Sequence, residues 1–572
     1  MLYTTAALSL ILFAAQTYAV CYDPSPAFLP PKSNTYRGSA IINDAFKSIA
    51  ANLDELLAQS AFDTSSFSIE VTTSTDSLWE LHHTARDKDP ERPGAEKVGG
   101  DSVYRVASIS KAFTVLAIIQ QHAAGNLSID HAVNQYLDLE GDIQWSDITL
   151  RTLASQLSGI PRDFAMGDLL YGDIDPVSFG LPPFQGEKVP DCESSCSADE
   201  LLENLATRVP IWPPKYKSSY SNINFDLLGL VVEEVTGLAF ADYVEQAILQ
   251  PLGMDSSSFI KPDDSVAVLP KGLNYWDFEL GVQRPTGGLY STSSDMSKFL
   301  RHALKSHDIL SPQISWFSPG SYAEHLSSFY GMPWEIFRTS SILPSTSRPV
   351  TFVTKAGSLP GYLTYAIMAP EYDLGITIFT AGSQTLLDLL REAVTVPLLR
   401  AAEEAAQSDL HSRYAGIFTA AAPLNSTIVL SQSDSNGLYI DSFISNSTVV
   451  VGDPQVPLSL LTQGLPFRVQ LIPSLLYREN EVGRKGEVWR GAVVLEERQE
   501  GVWSDNCLTN YDPALYAGKP LFEVVFWEDD GGIIEELEMV GFRVRMGRDG
   551  GEKADGIIGG GFANKKEQKV MG

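Results

Sequence analysis

The stretch Val106-Ala107-Ser108-Ile109-Ser110-Lys111-Ala112-Phe113, continuing through Thr114-Val115-Leu116-Ala117-Ile118-Ile119, leaves a folded chain little choice. A helix this apolar on every side has to be buried, so a core must be built around it. Ser108 and Lys111 stand three apart, which on a helix puts a hydroxyl and an ammonium on one face. The serine sits where the helix begins. Its dipole there favours an oxyanion, and serine is also a common N-cap there. A second Ser-x-x-Lys match, Ser258 and Lys261, follows Gly253-Met254-Asp255 in a short polar run and heads no such segment. On this stretch alone, capping and nucleophilic readings of Ser108 both stand.

At 572 residues the chain exceeds one ordinary core. Its 41 basic and 71 acidic side chains give a net charge of −30, which repels nucleic acid and anionic membranes, so no nucleic-acid partner is expected. Residues 1–19 carry an apolar run from Ala6 to Ala15 and end Thr17-Tyr18-Ala19, the pattern of a cleaved secretory signal, although no Lys or Arg precedes the run. That run is well short of the roughly 20 residues a membrane span needs, so the mature chain is read as secreted and free of membrane. Four cysteines follow, Cys21, Cys192, Cys196 and Cys507, and an even number in an exported chain favours disulfides. Three pairings are possible. Cys192 with Cys196 closes a small loop and is preferred, leaving Cys21 for Cys507. No histidine lies close enough to these cysteines to suggest zinc, and no metal or cofactor is expected. Sequons at Asn126, Asn425 and Asn446 agree with export as glycosylation sites.

Read in order, Asp23–Ser33 is an extended proline- and serine-rich leader, and Ile42, Phe46, Ile49, Leu53 and Leu57 mark a helix. Phe67–Val71 and Leu78–His83 alternate around a Thr-Ser-Thr-Asp turn and predict a hairpin. The helix that opens at Ser108 ends at Gly125, and Leu150–Leu157 is a further helix stopped by Ser158-Gly159-Ile160-Pro161. Arg162–Pro210 shows little periodicity and is read as an irregular lid or pocket wall. The turn Pro213–Asn222 precedes an apolar helix at Phe225–Val232, and Ala239–Leu249 is helical. Ser293 or Ser294 is expected to cap a helix over Asp295–Leu304. Val350–Lys355, Tyr362–Met368 and Leu374–Thr380 read as strands, Thr385–Ala405 as helix. This is an α+β arrangement in which the first and last strands share one sheet. Beyond Asp409, short alternating runs separated by Gly, Asp, Asn or Pro predict an all-β barrel or sandwich. The division expected is a signal peptide at 1–19, a main domain at 20–405, a β domain at 406–547 and a disordered tail at 548–572.

A serine hydroxyl needs a base to become a nucleophile. Lys111 serves if burial or another cation lowers its pKa, and Tyr220 serves if two ammonium groups push it towards phenolate. Asn222 offers a donor and an acceptor to orient a substrate, Lys355 supplies positive charge, and Gly357 allows a substrate close to the backbone. Each is also an ordinary turn or strand-end residue. Their order is harder to dismiss: Ser-x-x-Lys, then Tyr-x-Asn, then Lys-x-Gly.

In this set the chain resembles the serine β-lactamase and penicillin-binding protein superfamily, and with tyrosine in the second motif it is most similar to class C β-lactamases, DD-peptidases and related esterases. Leu153–Pro161, Pro251-Leu252-Gly253-Met254 and Gly287–Thr292 match the family's wording too. The resemblance covers about Ile41 to Ala405, and the leader and added β domain look like those of secreted fungal β-lactamase-like proteins. It implies an antiparallel sheet with a helical region. It also implies Ser108 as the acylated nucleophile, Lys111 and Tyr220 as proton carriers, and Asn222 and Lys355 as substrate holders. The N–H groups of Ser108 and Ser358 would form an oxyanion hole worth about 3–4 kcal/mol per donor. The family's threonine in the third motif is Ala356 here, which argues against efficient lactam hydrolysis. The function implied is a secreted serine hydrolase acting on a small-molecule ester or amide. A catalytically silent binding protein and an acyltransferase of secondary metabolism are the alternatives.

Overall fold

Phe67, Ile69 and Val71 alternate with Ser68, Glu70 and Thr72, a pattern that ordinarily sends the polar residues into water, yet this whole strand is buried. Both of its faces are covered. The computed structural model describes residues 25–549 except 165–168, 172–174, 187–195, 307–315, 433–436, 453–461, 463, 482, 496–510, 513 and 530. The signal expected at 1–19, Cys21, Cys192, Cys507 and the tail from 550 lie outside the described residues.

The main sheet takes, in chain order, β1 (Ser66–Thr72), β2 (Ser77–His83), β3 (Ser321–Tyr322), β4 (Ser328–Tyr330), β5 (Glu335–Thr339), β6 (Val350–Leu359), β7 (Tyr362–Ala369) and β8 (Leu374–Ala381). They lie in the order β2-β1-β8-β7-β6-β5-β4-β3, antiparallel throughout. First and last strands do pair, from Ser66 opposite Ala381 to Thr72 opposite Gly375. The helices are α1 (Ala40–Leu57), α2 (Ser110–Ala123), α3 (Ala198–Leu205), α4 (Ile223–Thr236), α5 (Ser293–Ser306) and α6 (Gln384–Tyr414). Phe46 of α1 stacks on Trp79, which lies opposite Val71, at 5.2 Å. Across the sheet, Arg301 of α5 donates to Thr72 Oγ1 at 2.9 Å and the Tyr104 hydroxyl meets Ser68 Oγ at 3.0 Å. The polar half of β1 is therefore matched to α5 and Tyr104.

The apolar run folds as α2, buried on every side, with Phe113 stacked on Phe299 of α5 at 4.3 Å. It does not begin at Ser108. Ala107–Ile109 form a 3₁₀ turn, and Ser110 makes the structural bonds, donating to Ala107 O at 2.7 Å and accepting from Leu289 N at 3.0 Å. The capping reading of Ser108 is thereby corrected. Two other expectations change. Arg162–Pro210 contains α3, held by a capping box between Ser197 and Glu200 and burying Leu201 and Leu205. Thr292, rather than Ser293 or Ser294, caps α5 by accepting from Asp295 N at 3.1 Å.

Two compact units divide the chain. One comprises Lys32–Thr339 and Val350–Leu399; the other comprises the residues up to Pro31, Ser340–Pro349 and Arg400 onward. In the second, β9 (Gly416–Ala420), β10 (Ser426–Gln432), β11 (Leu438–Ser445), β12 (Thr448–Val451), β13 (Phe467–Glu479), β14 (Lys485–Leu495), β15 (Glu523–Glu528), β16 (Ile534–Met539) and β17 (Val544–Arg548) lie in the order β10-β9-β17-β16-β15-β14-β13-β11-β12. β10 also pairs with β11, which closes a barrel rather than a sandwich. Tyr414, at the end of α6, sits in its core against Trp489 and Phe526 at 4.9 and 5.0 Å. The leader is not merely extended, since Ala27 and Phe28 are buried and the Arg348 guanidinium lies over the Phe28 ring at 5.1 Å. Asn126, Asn425 and Asn446 are all exposed. Among the described residues no helix is long and apolar enough to cross a membrane.

Gly229 lets α4 pack against the turn at Pro285–Gly288, because a Cβ there would lie 2.1 Å from Pro285 Cγ. Gly229→Ala gains about 1 kcal/mol of helix propensity but overpacks a rigid contact at about 1–3 kcal/mol. The expected outcome is a lowered midpoint in thermal unfolding of the variant.

Candidate active site

Ser108 is presented by backbone that a non-glycine residue adopts only under constraint. Ala107 has φ +49°, in the left-handed region, at a cost of about 1–3 kcal/mol. The surrounding sheet holds it there. Val106 N donates to Leu289 O at 3.1 Å and Val106 O accepts from Thr364 Oγ1 at 3.0 Å. Gly357 of β6 comes so close to this turn that a Cβ on it would lie 2.2 Å from Val106 O. The sequence assigns Gly357 to substrate approach; what approaches it in the structure is the backbone of the turn that carries Ser108.

Two side chains converge on the Ser108 oxygen. Lys111 Nζ donates to it at 2.8 Å and the Tyr220 hydroxyl at 3.0 Å. Lys111 is fully buried, and its ammonium also donates to Thr286 O at 2.9 Å. Burial lowers the Lys111 pKa and the Lys355 charge lowers it further; Tyr220 offsets part of this, and the net shift is downward. For Tyr220, burial opposes ionisation, but the ammonium groups of Lys111 and Lys355 outweigh it and the phenol falls below its ordinary value. Its ring has Lys111 Nζ at 5.3 Å, Lys355 Nζ at 5.2 Å and the Arg162 guanidinium at 4.8 Å from its centroid. Three cations surround one phenol.

Lys355, 1 % exposed, is bonded to Glu335 of β5 and donates to Ala356 O at 3.0 Å. Burial alone would lower its pKa, but the Glu335 carboxylate and Tyr220 more than reverse this and keep it an ammonium. Glu335 also accepts from Ala356 N at 3.0 Å. The Ala356 N–H thus points away from β7, and by the two-residue period of a strand the Ser358 N–H points the same way. β5 pairs with β6 only from Val350 to Thr354, so that edge is open at Ser358, whose side chain is exposed.

Asn222 stands at the start of α4, with its N–H donating to Arg162 O at 2.7 Å. Its amide donor is engaged by Asp163, while Oδ1 is buried with no partner. This narrows the expected role, because Asn222 has a free acceptor for a ligand and a donor already in use. The second Ser-x-x-Lys match is a turn. Ser258 Oγ accepts from Ile260 N at 2.9 Å, and Lys261 is paired with Asp264 and Asp277 at 3.2 and 3.0 Å. Cys196 is buried and disulfide-bonded, with each of its three possible partners outside the described residues. Among the described residues no cluster of three His, Cys, Asp or Glu side chains is placed to hold a metal ion.

Glu335, Asp163 and Thr286 belong to the site and were not anticipated. Asp163 and Thr286 adjoin segments already singled out, Ser158–Pro161 and the Gly287 turn, and proximity to those was the available signal.

The beta-lactamase family profile matches residues 53–398, a span that includes every one of these groups. The chain belongs to the beta-lactamase family. Residues 406–550, the barrel strands, match a beta-lactamase-like C-terminal domain. A probable hydrolase from a Phoma species, M10, is 32% identical over 92% of this chain and 91% of its own. Another, clz13 of Cochliobolus lunatus, is also 32% identical, over 95% and 94%. A beta-lactamase-like protein from Arthroderma benhamiae is 28% identical over 72% of each.

Within this family site, Gly357→Ala drives a methyl group into Val106 O and moves Ser108. Labelling of Ser108 by a fluorophosphonate is expected to slow about 100-fold, the penalty of roughly 1 Å of misplacement, with an unchanged far-ultraviolet circular dichroism spectrum.

Proposed function

We propose that this protein is a serine hydrolase that cleaves an ester or small amide through an acyl-enzyme on Ser108. The observation carrying this is that Ser108 Oγ receives both Lys111 Nζ, at 2.8 Å, and the Tyr220 hydroxyl, at 3.0 Å. Two groups with lowered pKa values at one oxygen are what activation of a poor nucleophile requires. With Tyr220 ionised, the contact reverses and Ser108 donates to the phenolate. Ser108 Oγ then bonds to the substrate carbonyl carbon as its proton passes to Tyr220, and the carbonyl oxygen takes the negative charge between the N–H groups of Ser108 and Ser358. The tetrahedral species collapses, the bond to the alcohol or amine breaks, and Tyr220 returns the proton to the leaving group. Water repeats the sequence on the acyl-enzyme and releases the acid. Lys355, held protonated by Glu335, and Lys111 keep the phenolate stabilised between turnovers.

Support for hydrolysis also comes from the two relatives named probable hydrolases, aligned over more than nine-tenths of each chain. Ala356, where the superfamily's Lys-Thr-Gly motif has threonine, lacks a hydroxyl beside Lys355, which supports esters and small amides over carboxylate-bearing lactams. The sequons lie on exposed turns and the signal-like residues 1–19 precede them, so we read the mature protein as secreted, glycosylated at Asn126, Asn425 and Asn446, with disulfides Cys192–Cys196 and Cys21–Cys507. Its partner is a small-molecule substrate rather than nucleic acid or membrane.

Purified protein given a chromogenic short-chain ester and a fluorescent penicillin is expected to turn over the ester and to carry an acyl group on Ser108 by mass spectrometry, both lost in Ser108→Ala. No turnover and no adduct would reject the enzyme reading. Tyr220→Phe is expected to reduce ester turnover at least about tenfold; an unchanged rate would remove the phenol from proton transfer.

A further inference from the structure

Asp226 lies one helical turn beyond Asn222 on α4, on the same face, and is completely buried. Its Oδ1 is 2.5 Å from Thr286 Oγ1, and that hydroxyl is 2.9 Å from Asn222 O. The backbone oxygen of Thr286 is the one that receives Lys111 Nζ at 2.9 Å. Thr286 therefore joins three site elements: the carboxyl of Asp226, the start of the Asn222 helix and the ammonium of Lys111.

A threonine hydroxyl carries one proton, and a carbonyl or a carboxylate can only accept. An ionised Asp226 leaves one of the two Thr286 contacts without a hydrogen. It also leaves a fully buried charged group with Oδ2 unpartnered. A protonated Asp226 fills both contacts, donating to Thr286 Oγ1, which donates in turn to Asn222 O. The charged groups acting on Asp226 are Lys111 from α2, which favours the carboxylate, and Asp163 from the segment before α3, which opposes it. Those acting on Lys111 are Tyr220 and Asp226, which favour the ammonium, and Lys355 from β6, which opposes it.

We propose that Asp226 is a positioning residue that, through Thr286, biases the charge on Lys111. As the neutral acid it braces Thr286 and Asn222 and leaves Lys111 able to give up its proton. As a carboxylate it adds to what favours the Lys111 ammonium. Burial pushes the Asp226 carboxyl up to about 7, against the pull of the Thr286 hydroxyl and Lys111, so the exchange between the two states falls near neutrality. The sign follows directly. Removing the negative charge takes away an interaction that favours the Lys111 ammonium, so the Lys111 pKa falls. Any limb of the pH profile that depends on Lys111 then moves to lower pH, whether the neutral amine or the ammonium is the form required.

The inference rests on the hydrolase reading, and the experiment separates the two. Wild-type protein and Asp226→Asn are treated with a fluorophosphonate across acid to alkaline pH. A Ser108 Oγ–phosphorus bond forms, fluoride leaves, and the hydroxyl proton passes to the base. Asparagine keeps a donor for Thr286 but cannot ionise. The Lys111-dependent limb of the labelling rate is expected to shift to lower pH by about one unit, the scale of a nearby charge. A rate scaled equally at every pH, with limbs unmoved, is what a packing role produces and overturns the proposal. Infrared pH-difference spectra of wild-type protein grown with isotope-labelled aspartate supply a readout that needs no variant. A labelled carboxylic-acid band titrating near neutrality is expected, and its absence overturns the proposal even if Asp226→Asn fails to fold. Wild-type protein that is never labelled at any pH overturns the hydrolase reading and this inference with it.

Discussion

A buried ammonium group has to find its partners inside the protein, and Lys111 draws them from the turn just before it and from two distant parts of the chain. Desolvating such a charge costs several kcal/mol unless its donors are matched. Ser108, the Thr286 carbonyl and the neighbouring Tyr220 supply the match, and each is held by a different element: the turn before α2, the segment between α4 and α5, and the start of α4. The site is thus where the core-burying helix meets the pieces that must satisfy its one buried charge. Because the match is partial, the lysine gives up its proton more readily than one in water.

The same economy governs the sheet. β6 runs so close to the turn that carries Ser108 that a Cβ at position 357 would collide with Val106 O. Ala107 stays in the left-handed region because the hydrogen bond Val106 N donates to Leu289 O and the one Val106 O accepts from Thr364 fix the residue beside it. A residue expected to make room for a ligand instead makes room for backbone, and a strained turn is kept by packing from both sides. Lys355 is governed in like manner, since Glu335 from the adjacent strand determines its charge and direction.

Much of this was legible from residues alone. α2, the β1–β2 hairpin, the β7–β8 hairpin and the pairing of first and last strands follow from periodicity and turn residues, and the three motifs bring forward Ser108, Lys111, Tyr220, Asn222 and Lys355. α3 was missed although Ser197 and Glu200 spell a capping box, because Leu201 and Leu205 alone make too short an apolar stripe to stand out among prolines and acids. β3, β4 and β5 were missed because they are short and lie at the far side of the sheet from β1, where half-exposed strands carry no clear alternation. β1 was recognised, but its buried polar face was not, since nothing in Ser68-Ile69-Glu70 says that Arg301 and Tyr104 await it.

Which groups can do chemistry and which helix must be buried are properties of side-chain type and local spacing, and both are readable along the chain. How those groups are charged depends on the folded arrangement. Tyr220 is acidified by cations from positions 111 and 355, Lys355 is held by the carboxylate of Glu335, and the Asn222 donor is engaged by Asp163. Each of these is a distance between residues far apart in the chain, and electrostatic effects in a buried site depend on such distances and on the exclusion of water, neither of which a linear pattern records.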